Sequence, residues 1–258
     1  MNLLVWIILF SLLGGVLSVL VASVYLFLPD VLRQRLLPHL ISFAIGALLG
    51  AAFLAVLPHA MMLSQDFHGL GLTILLGILF FFSLEKMVLW RHCHAQDCEA
   101  HSHSEPSNTN VTPGLLILLG DGLHNMVDGV LIASAFLTDF HLGVVTSLAI
   151  AAHEIPQEVG DFAVLLHSGF SSRRALLFNI LSSLTSIIGA VVAYYSFENA
   201  QFLLPYVLAV AASSFIYIAV ADLIPGLHKR THFSATVQQL SLILLGVAVI
   251  YWAHIALH

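Results

Sequence analysis

Two stretches decide the fold. Residues 114–136 read GLLILLGDGLHNMVDGVLIASAF and residues 142–167 read LGVVTSLAIAAHEIPQEVGDFAVLLH. Each is long enough to cross the hydrocarbon of a bilayer, which needs about 20 predominantly apolar residues. Each nevertheless carries ionisable and amide side chains near its middle: Asp121, His124, Asn125 and Asp128 in the first, and His153, Glu154, Gln157, Glu158 and Asp161 in the second. Such groups are costly at bilayer depth, so they line a cavity, pair with each other or mark a pathway.

The rest of the chain explains the setting. Of 258 residues, 59% are hydrophobic and 9% are charged, against about 25% charged in an ordinary soluble domain. A surface so poor in charge has to face lipid or other helices. Eight apolar segments are read as transmembrane helices: 3–28, 40–63, 70–90, 113–137, 141–168, 175–197, 202–227 and 235–256. They are too long for strands and show no strict alternation. The expected fold class is therefore all-α integral membrane, with residues 1–258 as a single transmembrane domain. The first segment lacks a basic residue ahead of its apolar run, and that run is longer than a signal-peptide core. It is read as a spanning helix.

Basic residues favour the cytoplasmic side. Arg33, Arg35, Lys86, Arg91, Arg173, Arg174, Lys229 and Arg230 all fall on one side in the eight-segment reading. Both termini are then outside, in a multi-pass cell membrane (plasma or inner). Residues 91–112, RHCHAQDCEAHSHSEPSNTNVT, form a long polar cytoplasmic loop. Its His92, Cys93, His94, Cys98, His101 and His103 could hold metal or belong to a solvated linker. Two cysteines so close together make no disulfide framework. No nucleic-acid partner is expected.

Helical spacing sharpens the polar set. His124 and Asp128 lie four apart on one face, as do His153 and Gln157. Glu154 and Glu158 form a stripe about 100° around the second helix. His124 and His153 each sit roughly 17 Å from the opposite ends of antiparallel segments, so both approach the midplane, where transporter sites tend to lie. Pro156 frees the carbonyl of Ala152, and Gly129 and Gly160 are read as permitting close helix approach. The candidate metal ligands are His124, Asn125, Asp128, His153, Glu154, Gln157 and Glu158. Imidazole with carboxylate suits zinc, with iron, manganese or cadmium as further substrates. Asp121, Glu158, Asp161 and His167 could line an exit. Asp222 could cap its helix or pair with Lys229. His59, Asp66 and His68, near the outer mouth, could concentrate cations or be ordinary interfacial residues.

These residues carry a resemblance. The chain resembles the ZIP (Zrt/Irt-like) divalent metal transporters over essentially its full length. H124-N-M-V-D-G129 looks like the family's fourth-helix motif, and H153-E-I-P-Q-E-V-G-D161 like the fifth-helix form HExPHExGD. The resemblance implies a 3+2+3 inverted-repeat bundle. In it helices 1, 4, 5 and 6 move against a dimerising scaffold of 2, 3, 7 and 8, and flux runs toward the cytoplasm. By position, His124, Asp128, His153 and Gln157 would form the primary site, with Asn125 and Glu154 in a neighbouring second one. Gln157 replaces the histidine of that subfamily. Where some relatives place a sixth-helix glutamate, this chain offers Asn179, Ser182, Ser183 and Ser186. Alternating-access transport is the leading reading, with no enzymatic activity. A channel-like metal pore is the alternative. More remotely, His153-Glu154 begins an HExxH metalloprotease motif, but Gln157 stands in place of its second histidine.

Overall fold

The computed structural model describes residues 2–93, 112–197, 199–228 and 232–257. The loop 94–111 and residues 229–231 lie outside them. So do the side chains of His92 and Cys93, and with them the loop's candidate ligands and the Asp222–Lys229 pairing.

Among the described residues there are helices and no strand. In chain order the helical rods are α1 (Leu3–Leu26) and α2 (Val31–Leu63). α3 (Phe67–Cys93), α4 (Thr112–Thr138) and α5 (Phe140–His167) follow. α6 (Ser172–Phe197) and α7 (Gln201–Leu227) come next, and α8 (Phe233–Leu257) is last. Six of them, α1, α2, α3, α6, α7 and α8, are long and apolar enough to cross a membrane. α4 and α5 are equally long, at 27 and 28 residues, and carry the acidic groups. Along α3, Leu72, Leu75, Leu76, Leu79 and Phe80 are each more than half exposed. A row of bare leucines suits lipid, not water, and helices satisfy their own backbone there.

The helices pack in two groups. α4 lies against α6 and α5, and α1 against α5 and α6. α2 lies against α8, and α7 against α3 and α2. The groups meet where α2 touches α5 and α7 touches α4. Glycines set the closest approaches. A Cβ built on Gly129 would lie 1.8 Å from the Ser186 carbonyl oxygen, and one on Gly46 would lie 2.0 Å from that of Ile243. Gly160 behaves differently from the sequence reading. A Cβ there would meet nothing within 4 Å, so its smallness does not bring α5 against a neighbour.

Two helices widen at matching places. α2 has a π-helical turn at Ala52–Val56 just before Pro58, and α7 has one at Ile218–Leu223 just before Pro225. Proline lacks the N–H that would close the preceding α turn, and such π turns occur often at functional sites.

Candidate metal centre

Local signals hold α5 in register. Asp139 caps its N-terminus, its Oδ1 accepting from the Leu142 N–H at 2.9 Å. The helix stops at Gly169, whose φ of 88° is open to glycine without strain. Phe170 N–H then closes back on the Leu165 carbonyl at 3.1 Å. Pro156 is absorbed within the continuous helix.

α4 and α5 bring four side chains to one point. His124 Nε2 is 3.3 Å from His153 Nε2, 3.6 Å from Asp128 Oδ2 and 3.3 Å from Glu154 Oε1. His153 Nε2 is 3.5 Å from Asp128 Oδ2 and 3.8 Å from Glu154 Oε1. The four donor atoms all lie within 4.8 Å of one another. Donors around a tetrahedral ion at 2.0–2.1 Å are separated by about 3.3 Å, so the cluster needs only slight contraction to close on a zinc-sized cation. The His153 ring is aimed by its Nδ1, 3.3 Å from the Ala149 carbonyl. That contact leaves Nε2 as the lone-pair nitrogen.

Burial calls for a positive partner, a cation or a proton, at this point. Asp128, His153 and Glu154 are each at most 1% exposed. Both carboxylate oxygens of Asp128 and both of Glu154 lack a hydrogen-bond donor. A buried charge without donors is costly by several kcal/mol, and an ion at the centre would partner both carboxylates at once. Glu158 and Asp121, by contrast, already have donors. Glu158 accepts from Asn179 Nδ2 at 2.9 Å and from Ser183 Oγ at 3.2 Å. Asp121 accepts from Ser182 Oγ and from Asn125 Nδ2, the latter at 2.8 Å.

The candidate ligands therefore divide. His124, Asp128 and His153 converge as read from the sequence. Glu154, assigned through the resemblance to a neighbouring site, points an oxygen into this one. Asn125 is buried beside the cluster but spends its amide on Asp121, and Glu158 ties α5 to α6. Asn179 and Ser183, named in the sequence only as what α6 offers in place of a glutamate, hold Glu158. Gln157 lines a cavity of about 310 Å³ with Asp121, His124, Asp161 and Asp222. That cavity leads from His124 toward the end of the molecule where α3, α5 and α7 finish and α4 starts. Histidine at this wall would add an imidazole beside His124. Gln157→His is expected to tighten binding of a zinc-class cation about tenfold, read by equilibrium dialysis. An unchanged affinity would place residue 157 outside the ion's reach.

Comparison with known proteins follows the same lines. A family model described as ZIP zinc transporter matches residues 90–253. Zinc transporter ZIP13 of Pongo abelii is 33% identical over 227 residues, covering 83% of this chain and 65% of that protein. Human zinc transporter ZIP4 is 44% identical over 117 residues, 44% of this chain and 18% of that protein. Zinc transporter foi of Drosophila melanogaster is 41% identical over 123 residues, 48% and 17% respectively. The chain thus spans just under two thirds of ZIP13 and under a fifth of the other two.

Proposed function

Because this chain belongs to the ZIP zinc transporter family, we propose that it carries zinc across a cell membrane toward the cytoplasm by alternating access. The observation that carries the proposal is the α4–α5 cluster: two imidazoles and two donor-less buried carboxylates around one point. All eight rods cross the bilayer in this reading, with both termini outside. α4 and α5 can do so because their acidic groups face the bundle interior. The packing into α1/α4/α5/α6 and α2/α3/α7/α8 supports a moving bundle against a scaffold, and the matched π turns of α2 and α7 support an inverted repeat. The scaffold pairs with a second copy to make a homodimer.

The cavity beside His124 runs toward the cytoplasmic end on this topology, past Asp121, Asp161 and Asp222. It supports an inward-facing arrangement in which water reaches the ion and carboxylates draw it out. Iron, manganese and cadmium share the donor preference closely enough to be secondary substrates. The intramembrane protease reading has less support. The family is one of transporters, and Gln157 does not supply the second histidine.

Uptake of labelled zinc into proteoliposomes tests this. Alanine at His124 or His153 is expected to lower uptake at least 10-fold, the scale of losing a ligand contact. Protons compete with metal for imidazole, so uptake should also fall as the outer pH is lowered. Full uptake in both variants would overturn the site assignment, and intact protein that moves no divalent ion would overturn the function.

A further inference from the structure

Outside the α4–α5 cluster, one other pair of histidines meets across two helices among the described residues. His59 stands near the end of α2 and His254 near the end of α8. Their ring centroids are 5.6 Å apart with an interplanar angle of 78°. The His124–His153 pair has 5.5 Å and 83°. The likeness extends to the anchor. His59 Nδ1 meets the carbonyl of Ala55, four residues back, at 2.8 Å, as His153 Nδ1 meets that of Ala149. In both rings Nδ1–H is spent on the backbone, and Nε2 carries the lone pair.

The support beneath the pair is rigid. α2 and α8 run parallel with their backbones in contact. A Cβ on Gly46 would lie 2.0 Å from the Ile243 oxygen, and one on Gly246 would lie 2.3 Å from the Phe43 oxygen. Between that contact and His59 lies the π turn Ala52–Val56. One inserted residue rotates everything after it by about 100°, and this sets which side of α2 presents residue 59. His59 is 8% exposed, and its partner is half-buried.

From this geometry we infer that His59 and His254 form a second divalent-metal site, separate from the transport centre. It takes an imidazole-preferring ion of the zinc class, held by the two rings. Two imidazoles on one tetrahedral ion have centroids about 5 Å apart, close to the separation seen. Among the described residues no carboxylate joins the pair in a metal-binding group, so the site is expected to bind more weakly than the α4–α5 cluster. On the proposed topology it faces the side from which ions enter.

Binding to the full chain in detergent tests it, on a background of Asp128→Asn with His153→Asn so that the transport centre is silent. Equilibrium dialysis counts bound zinc, and pulsed EPR with Cu²⁺ counts coordinated imidazoles. Adding His59→Asn and His254→Asn is expected to remove one zinc per chain and a two-imidazole Cu²⁺ signal. Asparagine at 59 can still donate to the Ala55 carbonyl, so the melting temperature in EDTA should hold. If the combined variant does not fold, His254→Asn alone is expected to weaken that zinc at least tenfold. Unchanged zinc stoichiometry and an unchanged Cu²⁺ spectrum in either variant overturn the site. Neither readout depends on flux, so the outcome is independent of whether the α4–α5 cluster transports.

Discussion

Asp128→Asn is expected to raise the melting temperature of the metal-free protein and to abolish both the stabilisation by zinc and at least 99% of zinc flux. The two effects have one cause. Asp128 is 1% exposed and neither of its oxygens has a donor. Oδ2 faces His153 Nε2 at 3.5 Å and His124 Nε2 at 3.6 Å, and a second donor-less carboxylate, Glu154, shares the site. Without an ion the two buried carboxylates crowd each other, and keeping both charged would cost several kcal/mol. The amide keeps the shape and removes one charge. A gain of about 2 kcal/mol would appear as a rise of roughly 4–8 °C. With wild type, zinc at 100 times its Kd adds about 2.7 kcal/mol. Asp128→Asn should lose that increment, because a neutral amide oxygen replaces an anionic ligand between two imidazoles. A thermal-shift series with and without zinc, paired with proteoliposome flux, reads all three. A variant less stable than wild type in EDTA, with its zinc shift intact, would make Asp128 a structural residue and remove the main argument for the centre.

What could be read without coordinates follows from the range of each interaction. Helix positions rest on local apolar length. The facing of His124 with Asp128 rests on four-residue spacing, and the meeting of His124 with His153 on depth in antiparallel neighbours. All three are one-dimensional quantities. Glu154 is not of that kind. A helical wheel puts it about 100° from His153, yet both bring a donor atom to the centre, which spacing does not encode. Glu158 looked equivalent to Glu154 on the same stripe. What separates them is α6, whose Asn179 and Ser183 reach Glu158 and not Glu154. His59 and His254 are far apart in the sequence, and no local pattern announces their partnership. Gly129 and Gly160 look alike in sequence, and only the proximity of α6 distinguishes them.

That last contrast yields the other large effect. Gly129→Ala is expected to lower the melting temperature by more than 5 °C and to cut zinc flux at least tenfold, while Gly120→Ala on the same helix does neither. At Gly129 the new methyl would lie 1.8 Å from the Ser186 oxygen, 2.6 Å from its carbonyl carbon and 2.9 Å from the Ala190 nitrogen. These are backbone atoms, so no rotamer change relieves them. The reverse contact is as close: a Cβ on Gly189 would lie 2.0 Å from the Met126 oxygen. α4 and α6 are thus packed main chain to main chain, the arrangement that small residues permit in membranes. To restore van der Waals distance α6 must retreat by about 1.5 Å. Overpacking of this kind costs about 1–3 kcal/mol or more. The displacement also strains the hydrogen bonds that α6 makes across the gap, from Thr185 Oγ1 to the Gly122 carbonyl, from Asn179 to Glu158 and from Ser182 to Asp121. Those bonds flank the metal centre on α4 and α5, so the same shift that loosens the fold misplaces His124 and Glu154. A Cβ at Gly120 meets nothing within 4 Å, and alanine there raises helix propensity without a clash. Equal melting temperatures for the two variants would mean that α4 and α6 are not in backbone contact, and the hydrogen bonds attributed to their crossing would have to be reassigned with it.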